Sequence, residues 1–348
     1  MTKMKYSDAI LLAQREILSE NDKSLILGIN VSSPDAIFGT VKNLLQDFGP
    51  SRVIETPASE NAVTGICLGL ATAGFHPILV HQRMDFAILS FDMIINQLAK
   101  WKYMYGDNLE SPVIIRMIIG RGWGQGPQHS QALHNFFAHV PGLQVYLPGN
   151  AQEIYSTLIF AAKSKKPTII FEHRWLYNQI GYVDSNQKQP LPTRNVSYSS
   201  DSRITILSIS FSTIEALRAA AVLRDNNVNL DIYEISNLHE MDLSEVLKSI
   251  TRTKHLLVID IGHKYAGAAA TIISELVIRG AKFDSAPLIL GLANYPTPTS
   301  AILTRDYYPR AIHVLNAIKE ILELDLIFAD PDGDKHLDVP DDRFIGYY

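Results

Sequence analysis

Short apolar runs alternate with stretches of helical period along most of this chain, and few patterns restrict a fold as tightly. In the first half, Tyr6 to Leu18, Ala36 to Phe48, Asn61 to Thr72, Ala87 to Tyr103, Gln131 to Phe137 and Ala151 to Lys163 read as helices. Between them lie Ser24 to Ile29, Arg52 to Glu55, His76 to Val80, Val113 to Ile119, Gln144 to Leu147 and Thr168 to Glu172, which read as strands. Apolar strands that alternate with helices belong to a parallel sheet covered on both faces. From Asn178 to Arg203 the composition turns to Ser, Asn, Gln, Pro and Tyr and the period is lost, so a linker is expected there. Alternation resumes at Ile204 and continues to the helix expected from Ala311 to Glu323. The expected architecture is α/β with two doubly wound domains: 1–180, a linker 181–203, 204–327, and a tail 328–348.

Length agrees with that division, since 348 residues exceed one ordinary core. A formal net charge of -5, with no basic stripe beyond Lys163-Ser-Lys-Lys166, argues against nucleic acid or an anionic membrane as partner. The one cysteine, Cys67, falls inside an apolar helix, which leaves no disulfide framework and no cysteine metal site. The N-terminal stretch lacks the unbroken apolar core of a signal peptide, so a cytoplasmic location is expected. Ala62 to Val80 nearly reaches membrane-span length, yet His76, Pro77 and three glycines interrupt it, and Glu60 and His81 flank it. A buried helix, turn and strand is the better reading.

Three places could carry chemistry. In Thr56-Pro-Ala-Ser-Glu60, Pro57 turns the chain and Thr56 or Ser59 can cap the helix that follows, which puts the Glu60 carboxylate in its first turn. Apolar residues behind it favour a carboxyl group that shares a proton, although a helix-start glutamate favoured by the dipole is the plainer reading. His129, in Gln128-His-Ser-Gln131 at the end of a glycine-rich loop, is a candidate proton carrier or a simple helix cap. Phe86 and Phe91 straddle a helix start and could form an aromatic wall for a flat ligand, or core. The glycine loop has no Gly-Lys-Ser/Thr ending and its spacing does not suit a dinucleotide. His134 and His139 are not spaced as metal ligands, no glycine-flanked nucleophilic serine is present, and Asp330-Pro-Asp-Gly-Asp334 lacks the spacing of a calcium loop.

Thr56-Pro-Ala-Ser-Glu60, Phe86 with Asp92, Gln128-His-Ser-Gln131 and Phe136-Phe-Ala-His-Val-Pro-Gly-Leu143 together resemble one family. Phe48-Gly-Pro-Ser-Arg-Val53, the Lys166-Pro167 turn before Glu172, and Leu176-Tyr177 add to the likeness. That family is the β subunit of thiamine-diphosphate-dependent 2-oxo acid dehydrogenases of the pyruvate and branched-chain type, in the transketolase-like group. The resemblance implies a pyrimidine-binding domain followed by a transketolase C-terminal-like domain. It also implies decarboxylation of a 2-oxo acid and transfer of the acyl group to a lipoyl acceptor.

By the same resemblance, Glu60 is the catalytic and cofactor-binding glutamate that bonds the aminopyrimidine ring nitrogen, where a shared proton favours the imino tautomer. Phe86 is the aromatic residue that packs on that ring, and His129 is the catalytic histidine of acyl transfer. No Gly-Asp-Gly motif with a downstream asparagine is found, and Gly106-Asp-Asn108 is only an echo of it. The family implies an α subunit that supplies the diphosphate site and holds Mg2+, an α2β2 heterotetramer and a lipoyl acyltransferase partner, with no metal ligand in this chain. Departures from the pattern are Gly28-Ile-Asn-Val31, where Ile29 replaces a usual acidic residue, His81-Gln-Arg-Met84, and the bulky, cationic Arg121-Gly-Trp123. They keep open a transketolase-like carboligation of an aldehyde or sugar, and a non-catalytic assembly partner.

Overall fold

The computed structural model describes residues 1–33, 36–106, 110–120, 125–331 and 333. The chain divides into two compact units, one built on residues 1–120 and 128–190, the other on residues from Leu191 onward.

The first unit contains β1 (Thr2–Lys5), β2 (Ser24–Gly28), β3 (Val53–Glu55), β4 (His76–His81), β5 (Ile114–Ile119), β6 (Gln144–Tyr146), β7 (Thr168–His173) and β8 (Ile180–Val183). Six of them form a parallel sheet in the order β3-β2-β4-β5-β7-β6, while β1 and β8 pair as an antiparallel ribbon. Every residue of β2, β5, β6 and β7 is buried, which is why these segments read as mainly apolar runs, with Arg116 and Glu172 as a buried charged pair within them. Helix Tyr6–Glu20 buries Tyr6, Ala9, Ile10, Ala13 and Ile17 at helical spacing and packs on helix Ala151–Lys163, whose start Asn150 caps through the Glu153 N–H. From β2 the chain runs to β3 on one side, and β4 then lies on the other. This reversal between β2 and β4 is where sheets of this kind bind ligands, outside the carboxyl ends of the strands.

Several expectations need correcting. Ala36 to Phe48 is not one helix: a short 3-10 turn, Ala36–Gly39, is followed by a helix only over Leu44–Phe48. Positive φ at Ile37, Phe38, Gly39 and Asn43 breaks it, and Phe38 is held out of helical geometry by the Arg174 guanidinium, 4.0 Å above its ring, and by Tyr177. Ala87 to Tyr103 runs as a helical rod of mixed winding, with a π segment at Asp92–Gln97 and 3-10 turns on either side. Neighbours disturb its carbonyls: Ser111 Oγ donates to Leu98 O, and a Cβ on Gly142 would stand 1.9 Å from Ala99 O. The helix expected from Gln131 begins at His134. The stretch read as an irregular linker carries β8 and β9 (Thr193–Ser197).

The second unit adds β10 (Ile204–Ile209), β11 (Leu230–Ile235), β12 (Leu256–His263) and β13 (Leu288–Leu292) to β9, in the order β13-β12-β10-β11-β9. Its strands are parallel except β9, so the sheet is mixed. Helices Ser212–Arg224 and Ala311–Ile321 share its core through Ala216, Ala219, Leu223, Val314 and Ile318. Among the described residues no helix is long and apolar enough to cross a membrane.

Candidate cofactor site

A cavity of about 240 Å³ lies at the carboxyl ends of β2 and β4, lined by Gly28, Ile29, Thr56, Glu60, Val63, His81, Gln82 and Phe86. The two strands approach closely, since a Cβ on Gly28 would come 2.7 Å from Val80 O, and glycine is therefore required there. The loop after β2 is fixed by Glu55, whose carboxylate accepts from Asn30 N at 2.5 Å, Ser32 N at 3.0 Å and Ser32 Oγ at 2.7 Å. Burial works against its charge, yet these hydrogen bonds prevail and hold the Glu55 carboxyl below its usual range. Gln82 closes the same loop by donating to Ile29 O at 3.2 Å.

Glu60 is the first residue of helix Glu60–Thr72 and is half-buried. Ser59 occupies the cap position, but neither it nor Thr56 caps with its side chain; Val63 N reaches the Ser59 carbonyl instead. The apolar surroundings of the carboxylate differ from those expected. Ala62 and Ile66 point to solvent, so the apolar wall comes from Val63, Leu79, Val80 and Phe86. Cys67, further along the helix, is buried, and burial pushes its thiol up to about 12, so it is no nucleophile.

The two phenylalanines part company. Phe86 is 37% exposed and faces the cavity, whereas Phe91 is half-buried, packs edge-on against Phe137 at 5.1 Å and Phe136 at 6.3 Å, and is not among the residues lining the cavity. His129 is exposed, and its ring meets Phe86 edge-on with centroids 5.2 Å apart. The segment bearing it is tied to the start of the Phe86 helix, because Asp85 Oδ1 accepts from Gln131 Nε2 at 2.8 Å and from its N–H at 3.3 Å. Glu60, Phe86 and His129 thus gather at one end of the sheet. Arg121 to Gly124, with the cationic and bulky part of the glycine loop, and Asp107 to Leu109, with most of the echo of a diphosphate motif, lie outside the described residues.

Residues 2–179 match the family described as transketolase, pyrimidine binding domain, and residues 196–314 match transketolase, C-terminal domain. This chain belongs to the transketolase-like family. Among its relatives in the family, the pyruvate dehydrogenase E1 component subunit beta of Rickettsia bellii is 30% identical over 317 residues, spanning 90% of this chain and 97% of the relative. The acetoin:2,6-dichlorophenolindophenol oxidoreductase subunit beta of Cupriavidus necator is 31% identical, spanning 82% of this chain and 85% of its own. A split-gene transketolase solved as an inactive β4 tetramer superimposes with a TM-score of 0.73 over 93% of this chain and 99% of that one, at 20% identity. That superposition gives this chain a transketolase-like fold.

The sequence did not mark His81 and Asp85 as parts of the site. His81 could have been found as a polar residue ending an apolar strand at the sheet's carboxyl edge, and Asp85 as the acid beside Phe86.

Proposed function

We propose that this chain is the β subunit of a thiamine-diphosphate-dependent 2-oxo acid dehydrogenase. With an α subunit, in a heterotetramer of two α and two β chains, it decarboxylates a 2-oxo acid and passes the acyl group to a lipoyl acyltransferase. The observation that carries this reading is that Glu60 and Phe86 line one cavity at the point where the strand order reverses, with the His129 ring set edge-on against Phe86. The donor set fits an aminopyrimidine: a flat apolar slot, one aromatic side chain, and one carboxylate at a helix start.

When bound, thiamine diphosphate supplies the carbon nucleophile and takes up the electron pair released by decarboxylation. The residues of this chain bind and orient. Phe86 packs on the ring face, while Val63, Leu79 and Val80 exclude water from its edge. Glu60, at the helix start and on the cavity wall, holds a proton at the ring nitrogen. His129, exposed beyond Phe86, moves a proton at the acyl oxygen during transfer. Ile29 lines the cavity without a carboxylate where the family resemblance implies an acidic residue. Residues 1–180 act as the pyrimidine-binding domain and 204–327 as the C-terminal domain, with diphosphate and Mg2+ held by the α subunit.

Calorimetry with magnesium tests the reading, on the chain alone and co-expressed with its α chain, with Glu60→Gln as control. Cofactor binding only in the pair, with turnover lost in Glu60→Gln, is the expected result; binding in neither sinks the proposal. The relatives' names favour a second reading, in which acetoin is cleaved, because an acetoin oxidoreductase β subunit is as similar as the pyruvate dehydrogenase ones. Dye reduction with pyruvate, branched 2-oxo acids and acetoin in turn separates the two.

A further inference from the structure

Strand β4 ends on His81, and this residue forms part of the cavity wall that Glu60 and Phe86 also line. The residue is 5% exposed, and its Nε2 is buried without a hydrogen-bond partner among the described residues. Burial alone draws its pKa down to about 4, so the ring is neutral near pH 7 and keeps one N–H donor and one lone pair. Folded chains rarely leave a buried polar atom unpaired, and a ligand that pairs with it relieves the cost.

The rest of the wall limits what that ligand is. Ile29, Val63, Leu79 and Phe86 are apolar, and Gln82 is already bonded to the loop after β2. With the Thr56 hydroxyl the one further polar side chain of the lining besides Gln82, a carboxylate and a neutral imidazole in a mainly apolar slot suit a heterocycle with polar atoms at more than one point of its rim. Building on the proposed cofactor, we infer that His81 is a second polar binding residue for the aminopyrimidine, hydrogen-bonded to a rim atom other than the ring nitrogen assigned to Glu60.

The test uses the complex with the α chain and magnesium. Calorimetry compares thiamine diphosphate with two probes, a pyridine analogue lacking the ring nitrogen that Glu60 does not meet and an analogue lacking the amino group. Wild type should bind one of the two about ten-fold more weakly than the cofactor, a loss typical of one buried hydrogen bond. His81→Phe should bind the cofactor about ten-fold more weakly and no longer distinguish that analogue, while His81→Asn, which keeps a donor and an acceptor, should retain part of the affinity and carries the comparison if His81→Phe does not fold. Unchanged cofactor affinity in the variants, or weakened affinity with the analogue preference intact, overturns the inference and leaves the cofactor reading standing. Absence of cofactor binding in the folded wild-type complex overturns both.

Discussion

Replacing Glu172 by Gln should unsettle the first unit far more than a one-atom change suggests. Arg116 on β5 is fully buried, and its guanidinium bonds Glu172 on β7 twice, Nε to Oε1 at 2.5 Å and Nη2 to Oε2 at 2.8 Å. Its remaining donors reach Gln14 Oε1 at 2.7 Å and Thr40 Oγ1 at 3.1 Å, while Tyr177 donates its hydroxyl to Glu172 Oε2 at 2.6 Å. Burial opposes the Arg116 charge, but the adjoining carboxylate outweighs it and moves the pKa up. Glu172→Gln leaves a cation in a dry site with only neutral acceptors, and breaking a buried pair from one side costs about 3–5 kcal/mol. Against a typical total of about 5–15 kcal/mol, that loss should lower the stability read from the first urea transition by about a fifth or more. Removing both charges in Arg116→Met/Glu172→Met should cost less than either single change, because no unpaired charge remains. Urea unfolding followed by circular dichroism, with amide exchange of β5 and β7, reads the effect. A Glu172→Gln transition within about 1 kcal/mol of wild type, or a double variant as damaged as the summed singles, would refute the reasoning.

Other outcomes are as specific. Gly142→Ala must hold φ +96 and place a Cβ 1.9 Å from Ala99 O, so a loss of about 2–4 kcal/mol is expected in urea titrations, and a transition matching wild type contradicts the contact. His81 and His173 are kept neutral in the fold, chiefly by burial, with pKa values near 4 and 3. Their values in the unfolded chain lie near 6.5, so unfolding takes up protons in acid: stability is full above about pH 6.5 and falls below it by about 1.4 kcal/mol per pH unit for each ring. Equal urea midpoints at pH 7 and pH 5 speak against this. Glu55→Ala should loosen residues 30–32 and raise their amide exchange with little change in global stability, and because the Glu55 pKa is lowered in the fold, the same loosening should appear in wild type only as pH falls through that value. Phe86→Ala should weaken cofactor binding about ten-fold while leaving the urea midpoint within about 1 kcal/mol, since the side chain is partly exposed; a large stability loss would make Phe86 core instead.

The division between what the sequence disclosed and what it hid follows the range of the forces involved. Strands of the first sheet were legible because burial on both faces leaves a mainly apolar run, and helix Ala151–Lys163 was legible to its ends because a side-chain cap fixes its start and the Lys166-Pro167 turn follows it closely. Where distant groups intervene, local pattern misled. Phe38 leaves a helical register for a guanidinium about 136 residues away in sequence, and the rod through Asp92–Gln97 changes winding where other segments crowd its carbonyls. The site divides in the same way. Glu60 was visible from a turn and a helix start, both local, and its resemblance to a family residue came from the same short motif. His81 was not, because its interest lies in what it lacks, a partner for a buried nitrogen, and no spacing in a sequence records an absent contact. Glu172 and Tyr177 stood among the family marks without a reason; their joint hold on a buried arginine supplies one, since this bond network ties β5 to β7 in the sheet that carries the cavity and needs all of its members to keep the Arg116 charge paired.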